Sequence, residues 1–254
     1  MSTNTKIALV TGGSRGLGRE MALNIAKKGL NVIITYNSRK DAADAVISEI
    51  EQLGQKAAAL RLNTGLIALF DDFFSRVQDL LEDKFAAEKF DYLINNAGIA
   101  LQSPFAETTE EAFDELINIH YKGVYFLTQK ALPFLNDNGG IVNISTGLTR
   151  FSYPGVSVYA SAKAAVEVAT RYMAKELGNR GINVNVVAPG PVVTDFGGGG
   201  MEDNEQMQEY MKSITAIPRI AYPKDIGPVV AFLCTDEAKW INAQRIEVSG
   251  GMNL

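Results

Sequence analysis

Short runs of aliphatic, often β-branched residues alternate with longer amphipathic stretches from one end of the chain to the other. No other feature narrows the accessible folds as much. The strand candidates are Ile7–Val10, Asn31–Thr35, Ala57–Leu62, Tyr92–Ile94, Ile141–Ile144, Ile182–Val187 and Arg245–Val248. They read as unbroken apolar runs, the pattern of strands covered on both faces. Between them the spacing predicts helices over Arg19–Lys28, Asp41–Leu53, Leu66–Phe85, Glu110–Leu135 and Ser157–Leu177. Gly29, Gly54 and the pair Gly178/Gly181 stand where a helix end favours glycine. Repeated β-α-β units imply an α/β fold, with a parallel sheet, right-handed crossovers and helices on both faces.

The 254 residues, 46% of them apolar, suffice for a full core without metal or disulfide staples. No internal repeat or low-complexity tract interrupts them. The irregular segment Pro189–Met201 contains the run Gly197–Gly200, read as part of a mobile substrate loop over about 190–217. A linker is the alternative, but the strand pattern resumes beyond it, so residues 1–254 are read as one domain. With 24 basic and 29 acidic residues the formal charge is −5, which argues against a nucleic-acid partner. Cys234 is the sole cysteine, so no internal disulfide can form and a reducing compartment is expected. The polar start Met1–Lys6 lacks the basic-then-apolar pattern of a signal peptide, and no apolar run approaches a membrane span of ~20 residues. The expectation is a cytoplasmic protein without membrane contact. No metal site is expected.

The first strand leads into Thr11-Gly12-Gly13-Ser14-Arg15-Gly16-Leu17-Gly18 and then a helix. A strand, a glycine turn and a helix N-terminus together make an anion site. The backbone N–H groups point outward, and the helix dipole adds about half a positive charge. The spacing G-x-x-x-G-x-G differs from the better-known G-x-G-x-x-G, and glycine also makes plain turns; its place after the first strand favours cofactor phosphate. The second strand ends Thr35-Tyr36-Asn37-Ser38-Arg39, without the carboxylate that would hold a ribose 2′-hydroxyl. Arg15 and Arg39 can instead clamp a 2′-phosphate, with Ser38 donating a hydrogen bond. Two solvated surface arginines are the bland reading. The charge pattern favours NADP, with NAD possible.

Tyr159 and Lys163 lie four apart near a predicted helix start and so share a face. An adjacent ammonium is expected to lower the phenol pKa from its free value near 10. Such a phenol can protonate a carbonyl oxygen or accept an alcohol proton. The spacing alone decides little, since Tyr36 and Lys40 repeat it.

The glycine turn, Asn95-Asn96-Ala97-Gly98, Tyr159-x-x-x-Lys163 and Pro189-Gly190 occur in order. With these motifs the chain resembles the short-chain dehydrogenase/reductase family across essentially its whole length. The resemblance is to its roughly 250-residue branch and suggests 3-oxoacyl-thioester reductases. It implies a single-domain, doubly wound (Rossmann-like) seven-stranded parallel sheet, NAD(P) binding and a homotetramer. It also implies roles. Gly12, Gly16 and Gly18 would form the diphosphate turn, Asn95 would support the cofactor site, and Thr194 would meet the carboxamide. Ser14, Leu17, Asn63, Ala97, Gly98, Pro189, Gly190 and Val192 complete the expected cofactor contacts. Tyr159 would be the acid/base, and Lys163 would hold the nicotinamide ribose.

Three positions depart from the family pattern. The catalytic serine position, thirteen residues before Tyr159, is Thr146, with Ser145 beside it as the alternative. The catalytic asparagine position, counted back from Gly123, is His120, either a proton relay or an ordinary helix histidine. An acid after the third strand is replaced by Asn63. The segment Asp195–Ile217, with Met201, Met207 and Met211, is read either as a lid or as amphipathic helix core. The expected activity is NADPH-dependent reduction of a small-molecule carbonyl, or the reverse on an alcohol. The alternatives are an NAD-dependent alcohol or sugar dehydrogenase and a dinucleotide-binding sensor with little turnover.

Overall fold

A computed structural model describes residues 5–196 and 204–254. The strands are β1 (Ile7–Val10), β2 (Asn31–Tyr36), β3 (Ala57–Arg61), β4 (Phe90–Asn95), β5 (Leu135–Ile144), β6 (Asn183–Pro189) and β7 (Arg245–Val248). They form a seven-stranded sheet in the order β3-β2-β1-β4-β5-β6-β7, parallel at every pairing. The helices are α1 (Gly16–Lys27), α2 (Lys40–Gln52), α3 (Phe70–Leu80), α4 (Glu110–Ile117), α5 (Gly123–Ala131), α6 (Ser157–Leu177), α7 (Glu205–Ser213) and α8 (Pro223–Leu233).

Alternate residues of each central strand enter opposite cores, which is why the runs are apolar throughout. Ala8, Val10, Val32 and Ile34 pack with Met21, Ile25, Val46 and Val230 from α1, α2 and α8. Ile7, Leu9 and Ile33 pack with Phe70, Phe73, Phe74, Leu127 and Ala174 from α3, α5 and α6. Full burial of each such large side chain contributes on the order of 1.5–3 kcal/mol. The strand order reverses between β1 and β4, so the loops leaving their carboxyl ends diverge and open a crevice there.

Two long helices expected from the sequence are broken. The stretch 66–85 is a 3₁₀ turn (Ile67–Leu69), then α3, then a π-helical turn (Leu81–Phe85) ended by Ala86 at φ +52°. The stretch 110–135 is α4, a π-helical turn (Asn118–Lys122), α5, and a 3₁₀ turn (Leu132–Phe134) containing Pro133. At Gly123 a Cβ would sit 2.1 Å from the Thr64 carbonyl, so the helix meets the loop after β3 backbone to backbone. β5 begins six residues before its apolar run, and its pairing with β4 slips between Phe90 and Tyr92. Polar Asn136–Gly140 hid that part of the strand. Gly29 and Gly54 do end α1 and α2, with φ of +88° and +86°. Among the described residues no helix is long and apolar enough to cross a membrane. Cys234 is a buried free thiol, and burial pushes its pKa up.

Candidate active site

After β1 the backbone is packed too closely for side chains. Gly12 and Gly16 hold φ of +65° and +53°. A Cβ on Gly18 would lie 2.1 Å from the Gly12 carbonyl oxygen, and one on Gly13 would lie 2.7 Å from Ile34 Cβ. The turn is tied from both sides. Gly13 N–H donates to Thr35 O at 2.9 Å and Gly12 N–H to Thr35 Oγ1 at 3.1 Å. Asn96 Nδ2 donates to the Thr11 and Gly12 carbonyls at 2.9 and 3.2 Å. Arg15, at the N-cap of α1, caps no backbone N–H with its side chain, so the helix's positive end faces the crevice.

A cavity of about 600 Å³ runs from this turn across the sheet's carboxyl edge to the start of α6. At its far end Tyr159 and Lys163 share one face of α6, as their spacing predicts. Burial pushes the Tyr159 phenol up to about 12, with the Thr146 hydroxyl pulling the other way. Lys163 Nζ, 5.9 Å from the Tyr159 ring centre, donates to Ile144 O at 2.7 Å. Burial brings its ammonium down to about 8. The expected lowering of the tyrosine pKa is therefore reversed here, because loss of solvation opposes the phenolate and the ammonium is turned to a backbone carbonyl.

Ser145 and Thr146 both line the cavity but differ in direction. Ser145 Oγ donates to Glu167 Oε1 at 2.6 Å, whereas Thr146 faces the phenol. Thr146 Oγ1 also accepts the Leu148 N–H at 3.3 Å, which leaves its own proton to donate.

A family profile described as "Enoyl-(Acyl carrier protein) reductase" matches residues 12–253. The chain belongs to the short-chain dehydrogenase/reductase family. It is 37% identical to "3-oxoacyl-[acyl-carrier-protein] reductase FabG" of Staphylococcus aureus (strain Mu50 / ATCC 700699), over 98% of this chain and 99% of that one. It is 34% identical to "Short chain dehydrogenase mdpC" of Emericella nidulans, over 97% and 94%. Among solved structures, "Promiscuous Reductase LugOII Catalyzes Keto-reduction at C1 during Lugdunomycin Biosynthesis" aligns with TM-score 0.93 and 36% identity over 100% of both chains. "The crystal structure of angucycline C-6 ketoreductase LanV with bound NADP" aligns with TM-score 0.92 and 34% identity over 98% of this chain and 96% of that one.

The family's asparagine position, His120, lies in the π-helical turn between α4 and α5. Its ring stands edge-on to Tyr159 at 4.9 Å and 89°. Nε2 lies 2.8 Å from Ile99 O and 3.3 Å from Ile99 N, and Nδ1 is enclosed without a partner among the described residues. Burial, then the Lys163 charge, bring its pKa down to about 3, so the ring is neutral. Gly98 makes the room: a Cβ there would lie 2.6 Å from His120 Cε1.

Asn95 requires a correction. Its side chain does not line the cavity but lies beneath it, donating to Thr128 Oγ1 and Asn143 Oδ1 at 2.9 and 2.8 Å. The alternation of β4 turns Asn95 into the α5/α6 face, and Asn96, just past the strand end, reaches the turn instead. Ser14, Leu17, Ser38, Ala97, Pro189, Gly190, Val192 and Thr194 all line the cavity, as does Asn63, whose Oδ1 accepts the Gly65 N–H at 2.9 Å. Arg15 and Arg39 line it too, each facing a carboxylate: Arg15 pairs with Asp195 at 2.6 Å and Arg39 with Asp41 at 3.1 Å. Both pairs are solvent-exposed and exchangeable.

Met207, Tyr210 and Met211 of α7 line the cavity, and no described residue of α7 is fully buried. Met201 and Gly197–Gly200 fall outside the described residues. Sequence reasoning missed the tail residues Met252 and Asn253, which also line the cavity. No apolar period or motif singles them out.

Proposed function

We propose that this reductase uses NADPH to reduce a ring-bearing ketone, with Tyr159 as proton donor. The observation that carries the reading is a single cavity with the glycine turn at one end and Tyr159, Thr146 and Lys163 at the other. The cradle fits a dinucleotide. Glycines stand where a Cβ would collide, and Arg15, Ser38 and Arg39 line the cavity and could turn to a 2′-phosphate. Gly12, Ser14, Gly16, Leu17 and Gly18 would hold the diphosphate, and Lys163 and Thr194 the nicotinamide half. When bound, NADPH supplies the hydride. Thr146 Oγ1 donates to the carbonyl oxygen, and Tyr159 transfers its phenolic proton to it as negative charge develops. The raised phenol pKa keeps that proton in place before transfer, and the Thr146 hydroxyl is the neighbour that favours the phenolate.

The substrate class follows from the wall. Phe151, Tyr153, Phe196, Tyr210, Met207 and Met211 line the cavity, with the Phe196 ring centre 6.3 Å from that of Tyr159. Tyr153, Phe196 and Tyr210 remain 43–50% exposed there, offering faces for a flat ring to stack on. The angucycline ketoreductase among the similar structures supports the same class. The α7 segment serves as a lid, and the enzyme works in the cytoplasm as a homotetramer with no nucleic-acid partner. The test is NADPH consumption with 2-tetralone and with an acetoacetyl thioester. The tetralone should give the higher kcat/KM, NADH should be at least about tenfold poorer, and Tyr159→Phe should lose at least about 10³-fold in kcat with NADPH affinity intact. Preference for the thioester would overturn the substrate class alone. Cofactor binding without turnover of either would favour the sensor reading.

A further inference from the structure

We propose that Glu167 and Arg245 are positioning residues that hold the Thr146 hydroxyl in its working orientation; the proposal rests on the role given to Thr146 above. Glu167 lies on the Tyr159–Lys163 face of α6, one turn beyond Lys163. Its Oε1 accepts from Ser145 Oγ at 2.6 Å, Thr149 Oγ1 at 2.9 Å and Arg245 Nε at 2.9 Å. The same guanidinium donates through NH2 to the Thr146 carbonyl at 3.1 Å and to Thr149 Oγ1 at 3.2 Å. Both ends of the 3₁₀ turn Gly147–Thr149 are thus pinned to one ion pair. That turn also supplies the Leu148 N–H that occupies the acceptor side of Thr146 Oγ1. If the turn shifts, the hydroxyl loses the contact that aims its proton.

This is not an ordinary surface pair. The two side chains are only 12% and 25% exposed, where solvent screening is weak and a planar fork loses little freedom on binding. The clamp extends through Glu247, which accepts from Arg245 at 2.9 Å and from Arg150 at 2.9 and 3.1 Å. Arg150 in turn donates to the carbonyls of Met252 and Asn253, both cavity residues. One charge network therefore fixes the catalytic turn and the tail that walls the same pocket.

The test is a double-mutant cycle on the NADPH-dependent ketone reduction. Glu167→Gln should lower kcat about 10–30-fold, with ketone KM and NADPH affinity within about twofold. Amide exchange across 145–150 should accelerate. Against a Thr146→Ala background the same substitution should cost less than about twofold, because its effect passes through that hydroxyl. Ser145→Ala, which keeps every charge, should show the same non-additivity at smaller size and serves if Glu167→Gln folds poorly. Full additivity, or an unchanged kcat in Glu167→Gln, overturns the proposal. An unchanged kcat in Thr146→Ala instead overturns the role of Thr146, and the clamp falls with it.

Discussion

His120 stands edge-on to Tyr159 while its Nε2 is committed to the Ile99 backbone. Burial holds it neutral down to about pH 3, against 6.5 for a free imidazole. Between those values the unfolded chain carries a proton that the native chain excludes. The His120 contribution to stability is complete above pH 6.5 and is lost as pH falls below it, by about 1.4 kcal/mol per unit. The native protein should therefore lose about 2–3 kcal/mol more than His120→Asn between pH 6.5 and 4.5, as read by urea unfolding. Parallel profiles for the two proteins would mean that the imidazole takes up a proton in the folded state. At this scale the sequence was legible where a motif fixed a residue relative to an anchor: Tyr159, Lys163, Thr146 and His120 all reach the cavity. It misled where strand direction decides. Asn95 and Asn96 are adjacent and chemically alike, yet one is buried beneath the site and the other braces the glycine turn.

The glycine turn and α1 act as one element, and two glycines of that element separate a binding role from a merely conformational one. At Gly18 an added Cβ would meet the Gly12 carbonyl oxygen at 2.1 Å, so the amino end of α1 must move away from β1. At Gly29, φ is +88° with nothing within 4 Å, so an added methyl costs backbone strain alone. Gly18→Ala should weaken NADPH at least about 30-fold by fluorescence titration, whereas Gly29→Ala should cost about 1–2 kcal/mol of stability and leave NADPH affinity unchanged. Equal NADPH affinity in the two variants would remove the turn from the cofactor site. Elements were readable from periodicity wherever a run was uniformly apolar or amphipathic, as at β1, β7 and α6. The helix breaks were not, because the π-helical turns at Leu81–Phe85 and Asn118–Lys122 keep the apolar stripe running. What sets the second break is a tertiary contact, the approach of Gly123 to the Thr64 carbonyl, which no local pattern encodes.

For the molecule as a whole, exposed apolar side chains remain in several places among the described residues after both cores are filled. On the outer side of α6, Val168 and Tyr172 are 45% and 66% exposed. Trp240 is 99% exposed, in the loop leading into edge strand β7. Isolated exposed side chains need no explanation, but these come from different elements, and the proposed tetramer would cover both places. Two isologous interfaces per subunit close into a dihedral tetramer, whereas one gives only a dimer. Light scattering at micromolar concentration should therefore report about four times the subunit mass. Trp240 is the sole tryptophan, so its emission would report directly on an interface formed there. Dilution or Trp240→Glu should give a dimer, with the remaining half of the assembly held through α6. For the unmutated protein, the dilution should also shift the emission to longer wavelength. A subunit mass that stays single at all concentrations, with emission already that of a solvated indole, would sink the tetramer and leave both patches facing water.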